Sequence, residues 1–201
     1  MNQCHIIGGG DFHISLLRVE KNDFVIAADF GFHPLQKANI TPDLYIGDGD
    51  SLGFQPQGVE AVFLPTVKDD TDMIAAVKEG LHRGYRRFCL YGALGGKRFS
   101  HSLANLQTLL FLSENGAEGE IIDQNCRISL LEEKSYRFSF SDGYFSLFTA
   151  ESEAEISIKG ALFPLSHAVL TPRFPLGVSN QGKGETEITV HRGKVFLILD
   201  K

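Results

Sequence analysis

Two carboxylates placed two residues apart, Asp48 and Asp50, are the side chains most suited to chemistry in this chain. They follow an apolar run at 44–46 that is typical of the end of a buried strand. If strand geometry continued through Gly49, both side chains would lie on one face, about 6 Å apart, and would repel by about 3 kcal/mol at an effective dielectric near 20. A cation between them would offset this repulsion, and Mg²⁺ prefers carboxylate and phosphate oxygens. The alternative is a simple turn, because Asp-Gly and Gly-Asp are turn dipeptides.

Polar or glycine-rich segments also follow four other apolar runs of the N-terminal part. They are Gly8-Gly9-Gly10-Asp11, Asp29, residues 68–72 and residues 92–98. Ligands of open parallel sheets bind at the carboxyl ends of the strands, so we expect these segments to converge on one edge. Each segment also has a simpler interpretation. The glycines suit tight turns, Asp69 and Asp72 suit the positive end of a helix dipole, and the basic pair at 97–98 suits an exposed surface.

Taken together, these segments predict a site for a nucleoside triphosphate and Mg²⁺. Carboxylates would hold the metal, glycine loops would let backbone N–H groups approach phosphate, and Lys and Arg would offset negative charge. The chain contains no Gly-x-x-x-x-Gly-Lys-Ser/Thr, which argues against a P-loop kinase. No Gly-x-Gly-x-x-Gly opens the first helix either, which argues against a dinucleotide redox fold.

Strand-like and helix-like segments alternate through the N-terminal part, as in a mostly parallel, Rossmann-like sheet with helices. The six predicted strands are residues 4–7, 24–28, 44–46, 61–64, 87–91 and 120–123. Helices are predicted over 12–19 and around 34–38, a third begins after Asp70 or Thr71 as N-cap, and a fourth spans 100–113. The expected apolar faces are Ile74, Val77 and Leu81 for the third helix, and Leu103, Leu106, Leu110 and Phe111 for the fourth.

The pattern changes near residue 125, beyond which only short strand-like runs and turns are found. The predicted strands are residues 128–131, 136–140, 144–149, 155–158, 168–171, 187–191 and 194–199, with Arg192-Gly193 as a hairpin turn between the last two. The sequence therefore predicts an α/β domain over 1–125 and a C-terminal antiparallel β-sandwich or barrel domain over 126–201.

Composition restricts the partners and the compartment. The net charge is −6, the sequence pI is about 5.6, and Lys and Arg form no long run, so nucleic acid and anionic membrane surfaces are not expected partners. The three cysteines are odd in number and lie in or beside apolar runs, as free thiols of a reducing compartment do. Because we find neither a signal-peptide pattern nor an apolar stretch of spanning length, we expect a cytoplasmic protein.

Five motifs in one order resemble thiamine pyrophosphokinase. They are Ala28-Asp29-x-Gly31, Pro42-Asp43-x-x-Ile46-Gly47-Asp48-x-Asp50-Ser51, Lys68-Asp69-x-Thr71-Asp72, Gly92-Ala93-x-Gly95-Gly96 with His101 and Asn105, and Ser179-Asn180. The resemblance runs from near residue 5 to the last strand. It implies a nucleotide-binding α/β domain, a thiamine-binding β domain, and a homodimer with active sites at the interface. It also implies transfer of pyrophosphate from ATP to the hydroxyl of thiamine, with release of AMP.

The resemblance also assigns roles to individual residues. Asp48, Asp50 and Asp72 are implied to be the catalytic carboxylates that hold Mg²⁺, and Arg98 and His101 complete the catalytic set. The implied ATP-binding residues are Gly9, Asp29, Lys68, Asp69, Gly95, Gly96 and Asn105. The implied thiamine contacts are Ser100, Ser179 and Asn180. From the residues alone, His101 has a second interpretation, in which it only anchors its helix.

Three departures from the family pattern bear on the substrate. Ser100 stands where the family has an aspartate before His101, with one extra residue in the loop, and Gly49 stands where the family usually has phenylalanine. The chain also contains no tryptophan, so any ring that stacks on thiamine is another aromatic or belongs to a partner chain. Two alternatives therefore stay open. One is another Mg²⁺-dependent nucleotide transferase or hydrolase on the same scaffold, and the other is a non-catalytic sensor of thiamine or nucleotide.

Overall fold

The computed structural model of the protein describes residues 2–49, 58–65 and 69–201. The chain forms two compact units, Met1–Gln124 and Asn125–Lys201. The predicted mixed α/β class is confirmed, with helices in the first unit and strands in both. In the described part of the chain, every helix is too short or too polar to cross a membrane.

The first unit is built on six strands whose pairings are all parallel. The strands are β1 Cys4–Ile7, β2 Phe24–Ala28, β3 Leu44–Gly47, β4 Glu60–Phe63, β5 Arg87–Tyr91 and β6 Glu118–Ile122. Their order across the sheet is β6-β5-β1-β2-β3-β4. Three helices connect them, α1 Phe32–Lys37, α2 Asp72–His82 and α3 Phe99–Glu114, with short 3₁₀ turns at Ile14–Leu16 and Asp29–Gly31. β1 and β3 are buried along their whole length, as strands covered on both faces are.

Helix α2 begins where the sequence predicts. Thr71 is its N-cap, and the Thr71 hydroxyl accepts a hydrogen bond from the backbone N–H of Ile74 at 3.3 Å. Asp72 lies in the first turn, where the helix dipole favours a carboxylate. Val77 is buried as expected, but its neighbours in the buried face are Met73, Ala76 and Gly80. The contact surface is therefore rotated by a fraction of a turn from the predicted face.

Two of the predicted helical features are wrong. Residues 12–19 form only the 3₁₀ turn Ile14–Leu16, because Leu17 has extended backbone, and the Arg18 guanidinium binds the Ser15 and Leu17 carbonyls. Helix α3 has the expected extent, but Leu103 is half exposed. Its buried face contains polar side chains, and Asn105 and Thr108 among them donate hydrogen bonds to backbone carbonyls. A hydrophobicity pattern therefore does not identify this face. The buried residues of α3 are Ser102, Asn105, Thr108, Leu109 and Leu112.

The second unit contains six antiparallel strands. They are β7 Cys126–Leu131, β8 Ser135–Thr149, β9 Ala154–Ala161, β10 Leu165–Leu170, β11 Asn180–Arg192 and β12 Val195–Asp200. Their order is β10-β9-β11-β8-β12-β7. One buried apolar cluster is shared by β7 to β12, and it includes Phe145, Leu147, Ile156, Ile188 and Leu197.

Two predictions for this unit are corrected. Residues 136–140 and 144–149 belong to one 15-residue strand, β8, because the Asp142-Gly143 step is accommodated by an irregularity opposite Gly182 and Gly184 instead of a turn. The predicted hairpin at Arg192-Gly193 is wrong, since β11 and β12 each pair with β8 and not with each other.

Strand β8 is strongly bent as a result. Its first residues pair with the end of β11, and its last residues pair with the start of β12, although only two residues separate β11 from β12. A straight strand of 15 residues would hold its ends about 50 Å apart. The strand therefore folds back, so that the six strands curve around the buried cluster.

A buried polar network in the first unit joins β1 and β5 to the loop before β2. The Asp23 carboxylate accepts hydrogen bonds from the backbone N–H groups of Gln3 and Glu20 at 2.8 and 2.9 Å, and from His5 Nε2 at 3.0 Å. With Nε2 donating, neutral His5 accepts at Nδ1 from the Tyr91 hydroxyl at 3.3 Å. Burial raises the pKa of Tyr91, so this hydroxyl stays protonated and available as a donor. The network joins the loop before β2 to the last residue of β5.

The charge on Asp23 should contribute to stability in a pH-dependent way. Burial by itself raises the pKa of Asp23, but the three hydrogen bonds outweigh it and hold this pKa below its ordinary value. A carboxyl whose pKa is lowered on folding stabilises the fold above its unfolded pKa of about 3.9, and this contribution is lost as pH falls through the folded pKa.

We predict that Asp23→Asn lowers the free energy of unfolding at neutral pH by about 2 kcal/mol, because the new amide N–H groups face donors. Urea titrations at about pH 7 and about pH 3.5 measure this, and the difference between variant and wild type should shrink at the lower pH. The control is Asp142→Asn, since exposed Asp142 accepts a single bond from the Gln181 side chain. A variant as stable as wild type at neutral pH would contradict the role given to the network.

Candidate functional site

A cavity of about 470 Å³ lies at the carboxyl edge of the parallel sheet in the first unit. Its walls come from the loops after β1, β2 and β5 and from the N-terminal turns of α2 and α3, so the predicted convergence on this edge is observed. The lining residues are Gly8, Gly9, Gly10, Asp11, Ala28, Asp29, Phe30, Thr71, Asp72, Met73, Gly92, Ala93, Gly95, Gly96, Lys97, Arg98, His101 and Asn105.

The two glycine-rich loops of the cavity are joined through their backbones. The N–H groups of Gly8 and Gly10 donate to the carbonyls of Tyr91 and Gly92, both at 2.8 Å, and the Asp11 N–H donates to Leu94 at 3.0 Å. A Cβ at Gly10 would overlap the Leu94 carbonyl oxygen and lie 2.6 Å from the Gly92 oxygen. The triple glycine is therefore needed for close packing of the loops, and Gly9 is the exposed member of the three.

Asp29 lies in a conformation that few non-glycine residues adopt. Its φ is +50°, and it begins the 3₁₀ turn Asp29–Gly31. Gly31 closes that turn against the end of β1, where a Cβ would overlap the Ile7 carbonyl oxygen. Left-handed backbone in a non-glycine residue is concentrated at functional sites, because it costs free energy that the surrounding structure must supply.

Two cations of the cavity are available to a ligand. Lys97 and Arg98 are exposed, and within residues 2–49, 58–65 and 69–201 neither forms an ion pair. Arg98 is also the N-cap of the 16-residue helix α3, whose first N–H groups and dipole favour an anion. Two positive side chains at a helix N-terminus, beside glycine loops, match the requirements of phosphate binding.

Asn105 and His101 lie on the same side of α3, one turn apart. Asn105 is buried, and its Nδ2 donates to the Ala93 carbonyl at 2.7 Å, which fixes the loop after β5 and orients the side-chain oxygen as an acceptor. An acceptor of this kind suits an amino or hydroxyl group of a ligand better than a phosphate. Asn105 therefore positions the glycine loop, whatever contact it makes with a ligand.

The predicted acidic pair around Gly49 is only partly described. Strand β3 ends at Gly47, and Gly49 has φ +80°, so the expectation of continuous strand geometry through this step is wrong. Asp48 follows β3 at the same edge of the sheet, while Asp50 and Lys68 lie outside the described residues. Within the described ranges, no three His, Cys, Asp or Glu side chains are grouped so as to hold a metal ion. The predicted metal set of Asp48, Asp50 and Asp72 thus stays a prediction.

One departure from the family pattern is Gly49, and the Phe63 ring lies beside it. A Cβ at Gly49 would lie 3.1 Å from the Phe63 ring, which is half exposed at the end of β4. The space beside Gly49 is therefore occupied by a ring from the neighbouring strand.

Other predicted site residues lie away from the cavity lining. Asp69 lines a separate depression together with Asp70 and Lys78, which form an ion pair. Ser100 is exposed in the first turn of α3. Its side chain is not part of the cavity wall, whereas that of Asp11, four residues after β1, is.

Ser179 and Asn180 belong to the second unit. The Asn180 side chain is buried, where its oxygen accepts from the Phe163 N–H at 3.0 Å and its Nδ2 donates to the Phe163 carbonyl at 2.7 Å. Asn180 therefore fixes the loop that carries Phe163. Ser179 is exposed, with φ +55°, and its N–H donates to the Ser146 hydroxyl.

Asp11, Phe30 and Lys97 are among the cavity residues to which sequence reasoning assigned no individual role. Asp11 and Lys97 lie in loops that the strand pattern had already placed at the correct edge. Phe30 carried no such signal, because a phenylalanine after a buried strand is ordinarily part of the core.

Residues 17–119, just over half of the chain, match the family model "Thiamin pyrophosphokinase, catalytic domain". No curated protein sequence gives a match.

Several solved structures share the fold. A thiamine pyrophosphokinase from Bacillus subtilis superposes with a TM-score of 0.86 at 21% identity, covering 100% of this chain and 99% of that one. One from Geobacillus thermodenitrificans gives 0.83 at 23% identity, covering 99% and 97%. The yeast enzyme gives 0.78 at 15% identity, covering 99% and 86%. At these identities the likeness shows the fold.

Proposed function

Because the chain belongs to the thiamin pyrophosphokinase family, we propose that it transfers a pyrophosphoryl group from ATP to the hydroxyl of thiamine. The products are thiamine diphosphate and AMP. The family and the enzyme class predicted from the sequence are confirmed by the match to the catalytic domain. The observation that carries the proposal is the cavity, where two interlocked glycine loops and an α-helix N-terminus face the same space as two cations that form no ion pair among the described residues.

The first unit is the nucleotide-binding domain in this proposal, with a Rossmann-like sheet. The parallel order of its strands and the cavity at their carboxyl ends support that role. The second unit is the thiamine-binding domain, a β-sandwich or barrel. The bend of β8 around one buried cluster supports the closed arrangement of its strands.

Mg²⁺ fits the chemistry of the acidic side chains. Asp11, Asp29 and Asp72 line the same cavity as Lys97 and Arg98, so a bound triphosphate would meet more carboxylates than cations among the described lining residues. A divalent cation removes this conflict, and Mg²⁺ is usually held by one or two carboxylates together with substrate phosphates. We propose that Asp48, Asp50 and Asp72 hold it. When bound, it offsets charge on the transferred group.

The chain's own residues then act mainly by positioning and charge. The oxygen of the thiamine hydroxyl forms a bond to the β-phosphorus of ATP as the bond from that phosphorus to the α-phosphate oxygen breaks. The hydroxyl proton is lost to water, and AMP is released. Arg98 and the N-terminus of α3 stabilise the charge that develops on the phosphoryl oxygens. Gly9, Gly95 and Gly96 let the phosphates approach the loop backbone. His101 lines the same wall and donates a hydrogen bond to the phosphates. Lys68 and Asp69 keep their proposed ATP-binding roles.

We propose further that the protein is a cytoplasmic homodimer with active sites at the subunit interface. The second unit exposes large apolar side chains near Ser179 and Asn180, namely Leu162, Phe163, Phe174, Leu176 and Val178. Exposed apolar residues grouped in this way mark interaction surfaces. Ser179, Asn180 and Ser100 are the proposed thiamine contacts, and a second copy of the chain is the proposed partner. The three free cysteines are consistent with a reducing compartment.

We expect purified protein incubated with ATP, Mg²⁺ and thiamine to form AMP and thiamine diphosphate in equal amounts. Chromatographic separation of nucleotides and of thiamine species measures both products. Formation of ADP would indicate a simple kinase, and phosphate release without thiamine would indicate a hydrolase. Stabilisation by ligands without turnover would indicate a sensor. Any of these three results contradicts the proposed reaction.

Asp72→Asn is expected to lower kcat/KM by about 10²- to 10³-fold, because it removes a charge from the cavity wall while the helix start keeps a polar side chain. Steady-state kinetics at saturating thiamine measure the effect. The matched control is Asp70→Asn, which removes a carboxylate that pairs with Lys78 in the separate depression. Equal losses in the two variants would show that Asp72 has no special role.

The dimer proposal is tested with two valines of nearly equal exposure. Val178 is 43% exposed in the apolar surface of the second unit, and Val19 is 44% exposed in the first unit. Val178→Asp should weaken dimerisation by at least about tenfold, because it places a charge in an apolar interface, while Val19→Asp leaves it unchanged. Sedimentation velocity across a concentration series measures both. A monomeric wild type, or equal behaviour of the two variants, would contradict the proposed interface.

A further inference from the structure

Phe30 is an exposed aromatic ring in the wall of a largely polar cavity. It is 53% exposed, although a phenylalanine gains free energy from burial. The other side chains of the wall are mostly charged or polar, or are glycine. An exposed ring in the cavity wall is available to a ligand that occupies the cavity.

The backbone around Phe30 is tightly determined. Phe30 is the central residue of the turn Asp29–Gly31, between a left-handed Asp29 and a glycine that no larger residue can replace without overlap with Ile7. On its other side, a Cβ at Gly9 would lie 2.9 Å from the Phe30 Cβ. The ring centroid is 5.7 Å from that of His33. These contacts fix the base of the side chain while leaving the ring exposed.

From this geometry we propose that Phe30 is the stacking surface for the adenine ring of ATP. This inference rests on the proposed function, which makes ATP the nucleotide. A phenyl ring offers no hydrogen bond, so it recognises the flat apolar face of a heteroaromatic ring. Phe30 therefore determines affinity for the base, and the glycine loops and cations determine affinity for the phosphates.

Adenine is favoured over a thiamine ring by the residues that share the cavity. Phe30 contacts the Gly9 position of the same glycine loop that faces the proposed phosphate site. Base and phosphates belong to one molecule, so a nucleotide whose phosphates lie on the glycine loops has its base within the same 470 Å³ cavity. Of the three proposed thiamine contacts, Ser179 and Asn180 belong to the other unit, and Ser100 is not part of the cavity wall.

The experiment compares binding of ATP with binding of inorganic tripolyphosphate, which has the phosphates but no base. Isothermal titration calorimetry with Mg²⁺ is performed on wild type, Phe30→Ala, Phe30→Leu and Phe30→Tyr. Phe30→Ala should weaken ATP roughly 5- to 150-fold, the range that loss of one base–aromatic stack produces, and leave tripolyphosphate unchanged. Phe30→Tyr should restore affinity to about the wild-type value, and Phe30→Leu should fall between.

The control variant is Phe148→Ala, which truncates an exposed phenylalanine of the second unit that is 38% exposed and not part of the cavity wall. It should leave the affinity for ATP unchanged. Three results would overturn the proposal. Equal weakening of ATP and tripolyphosphate would indicate distortion of the loops. Weaker binding of thiamine, titrated in the same way, with unchanged binding of ATP would assign the ring to the other substrate. Unchanged binding of every ligand would remove the role altogether.

Failure of the proposed function gives a different result. A wild type that binds ATP but forms no thiamine diphosphate contradicts the reaction, while the comparison of ATP with tripolyphosphate still decides whether Phe30 stacks on the base. A wild type that does not bind ATP overturns both. The two proposals are therefore separated by measuring affinity and products on the same preparation.

Discussion

The close approach of two backbone loops is the constraint on which the rest of the first unit depends. A Cβ at Gly10 would overlap the Leu94 and Gly92 carbonyl oxygens, and a Cβ at Gly92 would overlap the Gly8 carbonyl oxygen, so neither position has room for a side chain. Their hydrogen bonds hold the loop after β1 to the loop after β5, and those loops form most of the cavity wall. The Asp23–His5–Tyr91 network supports the same pair of loops. Tyr91 is the last residue of β5, and its carbonyl accepts a hydrogen bond from the Gly8 N–H. Buried polar groups of this kind specify one arrangement when all of them are satisfied.

Electrostatics gives the cavity its second constraint. Carboxylates come from three separate loops and cations from one, so an anion bound there is attracted on one side and repelled on the other. Mg²⁺ bound with a triphosphate would offset this repulsion, because carboxylate and phosphate oxygens are the ligands that it prefers. The strained backbone of Asp29, one of these carboxylates, has a steric cause. The turn Asp29–Gly31 holds Asp29 at φ +50°, because Gly31 has no room to move.

Sequence reasoning succeeded where one local cause determines the structure. The ends of the parallel strands, the Thr71 cap of α2 and the convergence of loops on one edge each follow from short-range pattern and from the topology of parallel sheets. Sequence reasoning failed where residues that are distant in the sequence determine the structure. The buried face of α3 follows polar Asn105 because the partner of Asn105 is a carbonyl of another loop. Strand β8 passes through Asp142-Gly143 because the irregularity in β11 opposite absorbs the step, and β12 pairs with β8 instead of its sequence neighbour.

The same distinction explains why aromatic roles were the hardest to predict. This chain has 16 phenylalanines, 21 glycines and no tryptophan, and phenylalanine rings repeatedly occupy the space beside a glycine. Phe63 lies beside Gly49, Phe30 beside Gly9, and Phe88 beside Gly80. In each pair the ring and the glycine come from different segments, so a missing ring at one motif position says little about the aromatic surface in space. Gly49 lacks the family's phenylalanine, yet a ring is present there from β4. An aromatic contact in this fold therefore depends on segments that are distant in sequence, and the position in a motif does not determine it.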